Sequence, residues 1–151
     1  MCNWIDEDNH VLTILCTKGR KKLGEAGEQL LCQKLALEHW QILCSNFQNG
    51  THSFEIDVIA LDPEGFLVFF EVKTRLSLNI DSVFSTLTKA KLQRLKLGAR
   101  HFCVQNPHIT HRGWRFDLAV VSFFPDRLPG KPKCWLIDPR RHRLAIFPGI
   151  G

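Results

Sequence analysis

The chain lacks any apolar run approaching a membrane span, which needs about 20 such residues. Its N-terminus has no basic region followed by a hydrophobic stretch, so no secretory leader is read there. The cysteines Cys2, Cys16, Cys32, Cys44, Cys103 and Cys134 form no Cys-x-x-Cys pair and no Cys/His cluster with finger spacing. That sets structural zinc aside. Internal repeats and low-complexity segments are also missing, and residues 1–17 hold Asp6, Glu7 and Asp8 without a single Lys or Arg. Together these absences predict a soluble, cytoplasmic protein. Several thiols sit among apolar residues, where a free cysteine behaves as a small hydrophobe.

What is present suits one compact domain. The chain has 151 residues, 44% of them hydrophobic, enough to bury a proper core. Its formal net charge of +5 favours polyanionic partners. Residues 122–151 carry Arg127, Lys131, Lys133, Arg140, Arg141 and Arg143 against Asp126 and Asp138. Surface charge that serves only solubility is the plain alternative.

Apolar spacing predicts a helix over residues 21–39, with Gly24, Gly27, Leu31 and Leu35 recurring at three- and four-residue steps. A strand over 40–47 and a hairpin with arms 54–61 and 66–73 follow. The second arm is apolar on both faces, as a central strand covered on both sides should be. One long helix is read over 82–104, with a basic outer side, then a buried strand over 116–121. Two short tail strands, near 134–137 and 144–147, flank Asp138-Pro139. The expected fold is α/β, a sandwich around a central mixed sheet. Residues 1–20 form an N-terminal arm, 21–122 the core, and 123–151 a basic β extension of the same domain.

The hairpin loop Pro63-Glu64-Gly65 has the chemistry of a three-residue turn closed in the left-handed region. Asp62 then pairs with Phe66, Asp57 lies opposite Glu71, and Glu55 opposite Lys73. Opposed residues share a sheet face about 5 Å apart. Two carboxylates at that separation repel and call for a cation between them, and the Lys73 ammonium is beside them. A divalent-metal phosphodiesterase needs that arrangement. A cross-strand ladder in which Lys73 neutralises Glu55, helped by Arg75, is the structural alternative.

Glu28 lies on the apolar stripe of the first helix, where an unpartnered carboxylate is costly. A metal, a lysine, a backbone amide or simply water would satisfy it. Lys89, Lys91 and Arg94 on the long helix are either phosphate contacts or a solvated face. Arg115 with Asp117 reads as a structural pair at a strand start. His39, His52, His101, His108, His111 and His142 show no ligand spacing and are read as structural or surface residues.

Several motifs, taken in order, resemble one family. They are Leu23-Gly24-Glu25-Ala26-Gly27-Glu28, Glu55-Ile56-Asp57-Val58-Ile59-Ala60, Val68-Phe69-Phe70-Glu71-Val72-Lys73-Thr74-Arg75, Lys91 with Ala99, and Arg115-Phe116-Asp117. Over residues 23–121 the chain is similar to the YraN-like family of small bacterial proteins, which is assigned to the PD-(D/E)xK nuclease fold and resembles archaeal Holliday-junction resolvases. The resemblance implies a restriction-endonuclease-like core, with Glu28 as the helical acid, Asp57 as the strand acid and Glu71 and Lys73 as the E-x-K pair. It departs from the family at Phe54, where Gly usually precedes the Glu of the Glu-x-Asp motif. A ring there, where Gly lets a backbone approach closely, bears on how substrate reaches the site.

The activity so implied is metal-dependent hydrolysis of phosphodiester bonds in DNA, including branched or recombination and repair intermediates. One or two Mg²⁺ ions, or Mn²⁺, are expected on Asp57, Glu71 and the Val72 carbonyl, with Glu28 acting through water. Lys73 is expected to orient the attacking water or stabilise transition-state charge, held in place by Glu55. Arg75, Lys89, Lys91 and Arg94 are expected to contact phosphates without reading sequence. DNA is the expected partner ahead of RNA, without a membrane, and analogy to the resolvases suggests a homodimer. The alternatives are a nucleic-acid-binding protein that kept the nuclease scaffold without cutting, and an interaction module that binds no nucleic acid.

Overall fold

A computed structural model describes residues 3–5, 11–16, 20–76, 81–127, 130 and 134–150. Elements run in the order β1 (Asn3–Ile5), β2 (Val11–Cys16), α1 (Arg20–Leu37), β3 (Gln41–Gln48), β4 (Glu55–Leu61) and β5 (Leu67–Arg75). They continue with α2 (Asp81–Phe84), α3 (Lys89–Gln105), β6 (Trp114–Phe123), β7 (Asp126–Arg127), β8 (Cys134–Ile137) and β9 (His142–Pro148). The central sheet has the order β3-β4-β5-β6-β9. β5 and β6 are parallel and the other neighbours antiparallel, so the expected mixed sheet is present. The parallel step spans α2 and α3, because parallel neighbours need a crossover long enough to return the chain.

Alternation along the central strands divides the core between the two faces of the sheet. Leu31 and Leu35 of α1 cover Val58, Ala60, Val68, Phe70 and Val72 on one face. Leu95, Ala99 and Phe102 of α3 cover Ile59, Leu67, Phe69 and Phe116 on the other. Close approach depends on glycine at two places. A Cβ at Gly27 would fall 2.2 Å from Thr74 Oγ1, and one at Gly98 2.8 Å from Ile56 Cδ1. Those glycines let α1 and α3 sit directly on the strands that carry the acidic residues.

The single helix expected over 82–104 is interrupted. The hydroxyls of Ser85 and Thr86 donate to the Ser82 and Val83 carbonyls, 2.8 and 2.6 Å away, which closes α2 with side-chain bonds. Thr88 then caps α3 by accepting the Lys91 N–H. Leu87, expected on the inner stripe of the helix, packs from the connection onto Val83, Leu118 and Val120.

A second, four-stranded sheet has the order β1-β2-β8-β7. The arm and the C-terminal extension therefore meet, with Thr13 through Cys16 paired antiparallel to Ile137 through Cys134. The two tail strands part company, since β8 joins this small sheet while β9 closes the edge of β6. Arg140 is paired with Asp138, and Arg141 with Asp126 at 3.0 Å, so both of these basic groups already have acidic partners. Asp6, Glu7, Asp8, Lys131 and Lys133 lie outside the described residues. Cys32, Cys44 and Cys103 are free thiols. Among the described residues no helix is long and apolar enough to cross a membrane.

Candidate functional site

β5 sets Val72 on the α1 face and therefore turns Glu71 and Lys73 to the α3 face. Glu71 is only 1% exposed. Lys73 donates to its Oε1, and Lys91, from the first turn of α3, places Nζ 2.8 Å from its Oε2. The second contact is close in distance but not aligned as a hydrogen bond, and Oε2 is otherwise without a hydrogen-bond partner. A buried carboxylate is tolerable only with such compensation. Lys73 thus neutralises Glu71, and the alternative ladder in which it neutralises Glu55 does not form, Glu55 being exposed on β4.

The hairpin register follows the expected rule from Leu61↔Leu67 to Val58↔Phe70 and stops there. The further rungs, Asp57 with Glu71 and Glu55 with Lys73, do not form. Alternation slips at this point, because Ile56 and Ile59 both join the α3-side core while Val58 and Ala60 join the α1 side. Asp57 instead reaches across the opening ladder, and its Oδ2 accepts the Val72 N–H at 2.6 Å. Burial first, and the neighbouring Glu71 charge second, push the Asp57 pKa up to about 7, against the pull of the Val72 N–H and the Lys91 charge.

Glu28 lies half-buried on α1, directly after Gly27. Its partner is Asn46 on β3, whose amide donates to Oε2 at 3.0 Å. Burial is the main force raising the Glu28 pKa; the Asn46 bond lowers it, and the charges of Glu55, Glu25 and Glu71 add to the rise. Asn46 was not singled out from the sequence. Its backbone is left-handed, with φ of 53°, a conformation that Asn accepts more readily than most residues. It sits between the rungs Ser45↔Val58 and Phe47↔Ile56, so it faces Asp57. Lys21, Gly24, Glu25, Glu28, Asn46, Gln48, Glu55 and Asp57 line an open cavity of about 600 Å³. Phe54 is not part of that wall. It is 3% exposed and packs with Phe47 and His101 under α3.

Among the described residues no three His, Cys, Asp or Glu side chains gather closely enough to enclose a metal ion. The pair Asp57 and Glu71 suits a hard cation that keeps several waters and takes only one or two carboxylates, as magnesium does. One observation fits such an ion: Glu71 Oε2 is buried without an aligned hydrogen bond. Arg75 donates to the Thr74 carbonyl. Lys89 and Arg94 are exposed on α3, as are Lys96 and Arg100. Lys91 is drawn inward to Glu71 instead. Arg115 forms the expected pair with Asp117 and also reaches Asp62, pinning the far end of the hairpin.

Residues 27–121 match the uncharacterised protein family UPF0102. A UPF0102 protein of Thermosynechococcus vestitus is 34% identical over 102 residues, 67% of this chain and 81% of its own length. One of Treponema denticola is 34% identical over 109 residues, covering 68% of this chain and 82% of the relative. A third, from Oleidesulfovibrio alaskensis, is 38% identical over 99 residues, 66% of this chain and 47% of that protein.

Proposed function

From a chain that belongs to the UPF0102 family, a family described only as uncharacterised, we propose a metal-dependent endonuclease that hydrolyses phosphodiester bonds in DNA. The observation that carries this reading is the corner where half-buried Asp57 lies beside buried Glu71, itself bonded to Lys73. Asp57 and Glu71 would hold Mg²⁺ or Mn²⁺, with the Val72 carbonyl beside them and Glu28 acting through water. Such an ion supplies Lewis acidity, easing deprotonation of water and offsetting charge on the phosphate. Glu71 orients the Lys73 ammonium, which would steer the attacking water or stabilise negative charge as the bond breaks. Glu28, held by Asn46, would take up a proton from water at the cavity mouth. Lys89 and Arg94, with Arg75 at the end of β5, would bind phosphates regardless of sequence. The protein would act in the cytoplasm on branched or repair intermediates, as a pair of copies where two strands are cut.

A second reading has an observation of its own. Glu71 is already neutralised by Lys73 and Lys91, as it would be in a nucleic-acid-binding protein that kept the scaffold and does not cut. Cleavage assays on branched, single-stranded and duplex DNA and on RNA, with Mg²⁺ or Mn²⁺, separate the two. Asp57→Ala should abolish cutting, and Lys73→Ala should slow it by about 10²–10³-fold. Salt-sensitive binding with no cutting by the wild type would select the second reading.

A further inference from the structure

We propose that Lys91 is the resident counter-cation of this site: its ammonium occupies the Glu71 oxygen that a divalent ion would take, and yields it when the ion binds. The inference rests on the metal reading given above. Lys91 has a fixed root and a mobile head. Its main-chain N–H is tied to the Thr88 cap, so the backbone stays in place at the start of α3. Its side chain remains 25% exposed, and a four-carbon stem can swing the ammonium to water.

The two lysines on Glu71 are not equivalent. Lys73 donates an aligned bond to Oε1 from the same strand. Lys91 comes from another element and meets Oε2 at 2.8 Å without alignment. An ammonium this close contributes charge compensation more than directed bonding, and charge is what a metal ion replaces. Asp57 and Glu71 are the two carboxylates proposed above to hold the ion. A divalent ion between those carboxylates would repel an ammonium a few ångströms away. The two cannot share Oε2. Once displaced, the ammonium stands free on the first turn of α3, available to a phosphate. Metal binding would therefore prepare the site for nucleic acid, and the phosphate role read from the sequence would follow displacement.

Calorimetric titration with Mn²⁺ alone tests this without any nuclease substrate. Wild type, Lys91→Met, Lys96→Met and Asp57→Asn would be compared, Lys96 being an exposed lysine of the same helix. Lys91→Met should bind Mn²⁺ on the order of tenfold tighter than wild type, Lys96→Met within about twofold of it, and Asp57→Asn should not bind. Wild-type binding with Lys91→Met no tighter than Lys96→Met would overturn the role of Lys91 and leave the metal site standing. No binding by either wild type or Lys91→Met would overturn the metal reading and this inference together. Thermal melting covers a weakened variant: Mn²⁺ should raise the Tm of Lys91→Met more than that of wild type, and an equal or smaller rise counts against the proposal.

Discussion

The main-chain N–H of Val72 donates to Oδ2 of Asp57 at 2.6 Å, at the point where the paired rungs of β4 and β5 run out. A side chain thus supplies the rung that the diverging backbones cannot. The bond fixes the half-buried carboxylate next to Glu71, and burial and the Glu71 charge govern its titration.

The first prediction concerns pH. Asp57 keeps its proton to about 7 in the fold, against 3.8 for the ordinary side chain. Its ionisation therefore works against folding. The cost is absent below the lower value, grows between the two, and is complete above the upper. Asp57→Asn should stabilise the metal-free protein by about 1–3 kcal/mol at pH 8 and leave it nearly unchanged at pH 4. Urea midpoints at the two pH values measure this, and a destabilised variant at pH 8 would contradict it.

The α1–β5 contact gives a second. Gly27→Ala would drive a methyl into Thr74 Oγ1 and should cost about 1–3 kcal/mol, the usual range for overpacking. That hydroxyl is buried without a hydrogen-bond partner, so Thr74→Ala alone should be close to neutral. In the double variant the cost of Gly27→Ala should largely disappear. Chemical denaturation of the four proteins completes the cycle, and additive losses would disprove the contact.

Asn46 offers a third, because its backbone and amide can be separated. Asn46→Ala loses the Glu28 bond and keeps a left-handed φ, and should destabilise by about 1–2 kcal/mol. Asn46→Gly relieves the backbone and should fall closer to wild type. Both should raise the Glu28 pKa further, since the amide now holds it down. A carboxyl-carbon NMR titration of Glu28 reads that rise directly.

The fourth concerns salt. If Lys89 and Arg94 contact phosphates, removing either should reduce the slope of log affinity against log salt by about 1. Arg141→Ala should leave the slope alone, because Asp126 already engages that guanidinium. Anisotropy of a labelled DNA across a KCl series provides the numbers.

Local chemistry made the hairpin legible. Gly65 has φ of 88°, Asp62 and Phe66 close the loop, and Asp62 Oδ1 accepts the N–H groups of Glu64 and Phe66. The apolar runs likewise placed α1, the central strands and β6 close to where they lie. What stayed hidden depends on segments far apart in the chain. Lys91 read as one cation of a basic side, for phosphate contact or solvation, and only the packing of α3 on β5 brings it to Glu71. The slip at Asp57 follows from two strands diverging, which no turn rule contains. The pairing of β2 with β8 joins the two ends of the sequence, so neither segment alone announces it. Phe54 looked like an intrusion into the site, yet Gly98 makes room for it under the helix.

The placement of β9 bears on how the protein is made. Translation delivers Trp114–Phe123 before His142–Pro148, so a nascent chain carries every acid and lysine of the site while one flank of β6 is still bare. Unpaired, apolar strand edges are templates for adventitious pairing between chains. A chain truncated near residue 130 would keep the acids and lysines of the candidate site with that edge of β6 unpaired, and should aggregate more readily than the full chain. His142–Pro148 therefore shields an edge as well as completing a sheet.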